Sequence, residues 1–181
     1  MKDLTKGKPS ALILSFALPI FLRNLLQLTY SLVDTRIVGS FLGEDALAAV
    51  GATSTLSGLI IGFLLGLSNG FAIITAQKFS AKNIADMKKS FAMSLVIGTV
   101  ISILFTIAGL LFLKPILHFL NVPKHLVPVA KGYIAIIIAG LLATFLYDAC
   151  AATLRAIGDA VTPLIILAIS VAVSYTHLRA H

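Results

Sequence analysis

Four polar side chains recur at helical spacing inside an apolar stretch: Arg23, Gln27, Tyr30 and Asp34. At 100° per residue, Arg23 and Gln27 each lie about 20° from the direction of Asp34, and Tyr30 lies about 40° from it. One helix face therefore carries a cation, an amide, a phenol and a carboxylate. A charge in lipid is costly, so such groups face a bundle interior or a wet cavity. Burial favours the protonated form of a carboxylic acid in general, and a neighbouring hydroxyl can hydrogen-bond either form. The chemistry open to this face is reversible loading of a proton or small cation at Asp34, with Arg23 and Gln27 as cavity lining. The plainer alternative is a polar seam that locks this helix to its neighbours. Arg36 lies about 200° round from Asp34, leaves the face and can snorkel to the interface. Pro19, about 60° away at the base of the stripe, lacks an N–H and is a bend point.

Other polar residues offer less. Asp148 and Arg155 are seven apart on one face of a later apolar segment, which suggests a structural ion pair. In "GLSNGFAIITAQ" (66–77), Ser68 and Asn69 sit among glycines. Small residues let membrane helices pack closely, so packing is the first reading there, and cavity lining the second, with Asn69 the candidate. Cys150 is the single cysteine. It has no internal disulfide partner and reads as a small buried residue. No phosphate loop, zinc-binding HExxH, nucleophile elbow or Cys/His cluster occurs. These residues support no soluble-type enzyme, no metal site and no nucleic-acid readout. The tail "SYTHLRAH" (174–181) holds His177 and His181, four apart but without a third ligand. It reads as a truncation or foreign junction rather than a metal site.

The elements that must carry these residues are long and apolar. Of 181 residues, 59% are hydrophobic and only 12% charged, with a mean hydropathy of +1.03. A soluble domain carries about 25% charged residues. Apolar runs cover 11–22, 56–75, 91–113, 126–152 and 160–174, and roughly 20 such residues cross a bilayer as a helix. The fold class is all-α, a polytopic membrane helix bundle. Helices are predicted over about 11–41, 46–79, 87–114, 127–156 and 163–173. The breaks fall at "GSFLGED" (39–45), "NVPKH" (121–125) and "GDAVTP" (158–163), the last with an N-cap candidate. The first helix, at about 46 Å, exceeds the ~30 Å hydrocarbon core and must tilt, bend or project. The net charge of +7 sits mainly in short loops. Lys2, Lys6, Lys8, Lys78, Lys82, Lys88, Lys89 and Arg155 fall on one side. Arg36, Lys114, Lys124 and Lys131 fall on the other. The positive-inside rule then predicts a cytoplasmic N-terminus.

Three segments together resemble the multidrug and toxic compound extrusion (MATE) transporters, in their bacterial branch. They are "LPIFLRNLLQLTYSLVDTRIVGSFLGEDALAAVG" (18–51), "GLSNGFAIITAQKFSAKN" (66–83) and "LRAIGDAVTPL" (154–164), in matching order and spacing. The resemblance runs from about 9 to 173. It implies twelve helices in two pseudo-symmetric six-helix lobes, set in the inner (cytoplasmic) membrane. It implies export of cationic or amphipathic drug-like compounds driven by inward H⁺ or Na⁺, with no other cofactor. It also implies a first-lobe cavity in which an aspartate on helix one stands beside a tyrosine one turn earlier and near a bending proline. Those positions are Asp34, Tyr30 and Pro19 here. The family's helix-five asparagine and aspartate would fall at 174 and 178, where this chain has Ser174 and Leu178. A polar residue of some members would fall near Ala151. On this resemblance the chain holds four helices and part of a fifth of a six-helix first lobe, followed by a non-family tail. Helix six and the second lobe are absent, so the chain alone is not expected to transport. A lipid or polysaccharide flippase of related architecture is the rival within transport. Its cavities are lined with arginines, and Arg23 is the one arginine in the middle of a predicted span. A non-transport membrane scaffold subunit is the rival outside it.

Overall fold

Backbone N–H and C=O groups in hydrocarbon must be paired within the chain, which leaves the helix as the form open to this composition. The computed structural model describes the backbone over residues 9–179. It describes side chains over 10–173, apart from 11, 12, 15, 16, 34, 37, 38, 41 and 42. Six helices follow one another: α1 (Pro9–Ser80), α2 (Ile84–Leu111), α3 (Leu113–Phe119), α4 (Val127–Ala139), α5 (Leu141–Ala156) and α6 (Val161–Arg179). Among the described residues, Gly43–Ser80 and Ile84–Leu111 are each long and apolar enough to cross a membrane, and α4 and α5 are so together, as a pair bent by 43°. With the relatives described below, this is a multi-pass membrane protein.

Both helices expected before residue 80 lie in α1, and the break between them narrows to Gly43, at φ 85° and ψ −179°. That backbone region is essentially closed to residues with a Cβ. The chain turns there. A Cβ on Gly39 would lie 3.3 Å from the Leu47 side chain, although eight helical residues span about 12 Å. The arm before Gly43 includes Pro19 within its helical run.

The other junctions close on paired backbone groups. After α1, the Asn83 N–H bonds to the Lys78 carbonyl and the Lys82 N–H to that of Phe79, around Lys82 at φ 57°. The same pair of bonds recurs around Asn121 (φ 53°) after α3 and around Gly158 (φ 90°) after α5. Each is a Schellman closure, which satisfies carbonyls at a helix end. Asn83 then caps α2 by accepting the Asp86 N–H at 3.1 Å. Asp159 supplies the cap foreseen in "GDAVTP", accepting the Val161 and Thr162 N–H groups at 3.2 and 3.0 Å.

Three boundaries differ from the sequence expectation. The third helix runs past Leu111 only after a break at Phe112, and Pro115 sits in the first turn of α3, where a missing N–H does no harm. The fourth is broken at Gly140 into α4 and α5, bent by 43°. Thr106 of α2 donates to the Ile138 carbonyl beside this bend at 3.2 Å, the kind of side-chain support that stabilises a broken membrane helix. The fifth continues as helical backbone to Arg179 instead of stopping near 173.

The core lies where α1, α4 and α5 meet. Residues Ala49, Thr53, Ser57, Ile60, Leu64 and Ser68 of α1 recur every three or four positions and are buried. Thr53 and Ser57 donate to the carbonyls four residues earlier, at 2.8 and 3.1 Å, so these hydroxyls do not need water. Ile134, Ile138, Leu141 and Phe145 pack against this stripe. Phe145 lies against Gly98 of α2, where a Cβ would overlap its ring. In the 66–77 motif Ser68 is buried in this stripe, while the glycines beside it do not pack closely. Gly66 and Gly70 point to open space among the described residues, and the alanine, serine and threonine stripe does that work instead. Cys150 is exposed rather than buried. It shares the outward strip of α5 with Ala143 and Leu146, while Ala149 and Ala151 turn inward.

Candidate functional site

The polar residues that meet in the structure are drawn from both arms of α1 and from α5. Arg23 Nη2 lies 3.7 Å from Asp148 Oδ1, with side-chain exposures of 16% and 6%. Arg155 Nη2 donates to Asn69 Oδ1 at 3.2 Å. Asp148 interacts electrostatically with both Arg23 and Arg155, and Arg155 also with Tyr147. Asp148 thus bridges directly to Arg23 and lies in the field of Arg155 within an apolar bundle.

This arrangement corrects the expected Asp148–Arg155 pair. Seven residues place those two about 10.5 Å apart along the helix axis, whereas Arg23 approaches Asp148 from the neighbouring helix. The direct bridge therefore forms between helices, and Arg155 is held by Asn69 while remaining in the field of Asp148. Arg23 and Asn69, both read as cavity lining, belong to this network. Tyr147 joins it without having been singled out. Its position next to Asp148 in an apolar run was the available signal.

Donor capacity in this region exceeds what the neighbouring acceptors take up. Arg23 Nε, Arg155 Nη1 and Tyr147 Oη are enclosed without a hydrogen-bond partner among the described residues, as is Ser68 Oγ, one residue from Asn69. With a second cation beside one carboxylate, the network carries a net positive charge. Buried ionic groups of this kind are costly unless several partners hold them, and their best attested role is to specify which elements pack together.

The stripe foreseen on the first helix is placed in part. Tyr30 is half-buried, Gln27 exposed and Pro19 half-buried, all on the first arm of α1. Asp34 lies on the same helical run, but its side chain is outside the described residues, as are those of Ser174, His177 and Leu178, and the whole of His181. Ala151 is buried in α5.

Known proteins match this chain over nearly its whole length. The MatE family model covers residues 19–176. "Probable multidrug resistance protein YpnP" of Bacillus subtilis is 33% identical over 93% of this chain and 38% of its own length. "Probable multidrug resistance protein YoeA" of the same organism is 32% identical over 93% of this chain and 37% of its own. Among solved structures, a MOP superfamily transporter from Pyrococcus furiosus superposes with a TM-score of 0.85 at 24% identity, over 93% of this chain and 37% of that one. The chain therefore spans less than two fifths of the length of these relatives. Its helix order, its bundle and the family match over 19–176 together establish that it belongs to the MatE family.

Proposed function

We propose that this chain is the first part of the N-terminal lobe of a multidrug efflux transporter, and that the whole protein exports cationic or amphipathic compounds in exchange for inward H⁺ or Na⁺. The observation that carries this reading is the family match over a bundle whose polar residues converge between α1 and α5. Relatives named as multidrug resistance proteins support the drug-like substrate class. The Arg23–Asp148 bridge engages the one arginine in the middle of a predicted span, which counts against an arginine-lined flippase cavity. Asp34, with Tyr30 beside it and Pro19 at the base of its helix, is the proposed coupling site. Its one-turn spacing from Tyr30 on an intramembrane helix supports reversible protonation or cation exchange. The protein lies in the cytoplasmic membrane with its N-terminus inside, a reading supported by the lysine-rich 78–89 turn.

Asp34→Asn in the complete transporter is expected to abolish gradient-driven dye efflux from cells while surface expression persists. Efflux at the parental rate would remove Asp34 from the coupling role. The 181-residue chain by itself is expected to give no gradient-dependent efflux.

A further inference from the structure

At the lysine-rich end of the bundle, a cavity of about 330 Å³ opens between the last turns of α1 and the first turns of α2. The two helices run in opposite directions from the tight turn at 81–83. Lys78 and Lys89 therefore stand at the turn end of the cavity. Phe71 and Ile74 of α1, with Met93 and Ile97 of α2, line it one to two turns further into the apolar spans. Ser94 in its wall donates to the Ser90 carbonyl at 2.8 Å, so the apolar part makes no unmet polar demand. The cavity is a groove open to the outside: Ile74, Met93 and Ile97 are all exposed.

Its lining carries two cations, Lys78 and Lys89, against the one carboxylate of Asp86. Over residues 78–89, Lys78, Lys82, Lys88 and Lys89 face a single carboxylate, Asp86. Asp86 lies 3.8 Å from Lys78, and it also accepts a bond from Asn83 Nδ2 at 2.9 Å as part of the α2 cap. Lys89 has no ion pair among the described residues. A cationic drug-like molecule is repelled from such a mouth. An amphiphile with an anionic head and an apolar chain matches both halves, and basic pockets between membrane helices suit acidic lipid headgroups.

We propose that this groove docks one anionic phospholipid, with its phosphate between Lys78 and Lys89 and the upper part of one acyl chain between Phe71 and Ile74 on one side and Met93 and Ile97 on the other. The occupant sits at the membrane interface beside the turn that joins the Gly43–Ser80 and Ile84–Leu111 spans. It adds charge compensation for a lysine cluster that Asp86 alone cannot neutralise.

The chain contains no tryptophan, so a single introduced one reports on one place. Met93→Trp places the probe in the groove, and Leu104→Trp places it on exposed lipid-facing surface further along α2. The 181-residue chain is reconstituted in vesicles of phosphatidylcholine with brominated phosphatidylglycerol or brominated phosphatidylcholine as quencher. The groove probe is expected to favour phosphatidylglycerol about fivefold or more, the worth of one interfacial lysine, and the Leu104 probe to show no preference. Adding Lys78→Gln and Lys89→Gln is expected to bring the groove probe to the Leu104 value. Equal ratios at the two probes, or a preference that survives both lysine replacements, would overturn the proposal. So would a groove probe that neither lipid quenches, since protein would then cover it. If Met93→Trp does not reconstitute, Ile97→Trp replaces it with the same expectations.

Discussion

Asp148 is the carboxylate on which two guanidinium groups converge, and that determines how its removal acts. Asp148→Ala leaves Arg23 and Arg155 without their shared counter-charge in an apolar bundle. Stranding a buried charge costs about 3–5 kcal/mol. Replacing both bridge partners, with Arg23→Met and Asp148→Leu, is expected to cost less than Asp148→Ala alone, because only Arg155, which Asn69 still holds, then loses its counter-charge. Thermal unfolding in detergent, followed by helical circular dichroism, ranks the variants. Asp159 makes a different prediction, outside the spans. The Thr162 hydroxyl, at 2.6 Å, and the Thr162 N–H hold its carboxyl below the usual carboxylate range. A depressed folded-state pKa contributes stability that is present above the unfolded value, near 4, and is lost as pH falls through the folded value. Asp159→Ala should therefore lower stability by about 1 kcal/mol at pH 7, as loss of a helix cap does, and progressively less in acid as pH falls through the folded-state value. Unfolding of the two proteins across an acid pH series checks the sign. The cap was legible in "GDAVTP" because capping is local. The Arg23–Asp148 bridge was not, because helical phase relates residues on one helix and says nothing about which other helix comes alongside.

Elements in this chain are set by where helical backbone must stop, and the stops are of two kinds. Those at Lys82, Asn121 and Gly158 are closed by paired carbonyls and lie near the turns that composition suggested. Those at Gly43 and Gly140 are single-residue events, the first within the break expected at 39–45 and the second inside apolar sequence. Gly43→Ala is expected to lower stability by about 1–3 kcal/mol, since its φ of 85° with extended ψ is strained for any residue with a Cβ. Its side-chain space is open, so the loss would be conformational rather than steric. Gly66→Ala, inside the same helix and facing open space, serves as the comparison and should be neutral or slightly stabilising through helix propensity. The sequence pattern pointed to small residues around Ser68 and Asn69 for close packing; in α1 a stripe of alanine, serine and threonine that includes Ser68 packs, while Gly66 and Gly70 face open space among the described residues. Both classes are small. Only the direction each one faces separates them, and that depends on the position of α4 and α5.

At the scale of the molecule, composition and charge make one strong claim: apolar helices with lysines gathered at one end. Reporter fusions to the complete transporter should place the N-terminus and the 78–89 turn on the cytoplasmic side and the 121–125 turn outside. A periplasmic signal from the 78–89 turn would reverse the assignment. Long apolar runs, a 12% charged fraction and the three family motifs were sufficient on their own to establish an all-α membrane bundle of this family. They suffice because hydrophobic length and local turn chemistry act over a few residues at a time. The tertiary structure alone decided that Asp148 bridges to Arg23, that Arg155 reaches Asn69, that Cys150 faces outward, and that Lys78 and Lys89 flank one groove. The first three depend on helices distant in sequence being brought side by side, and the groove depends on how α1 and α2 lie against each other beyond the 81–83 turn; packing across the bundle fixes these, not the period of any one segment.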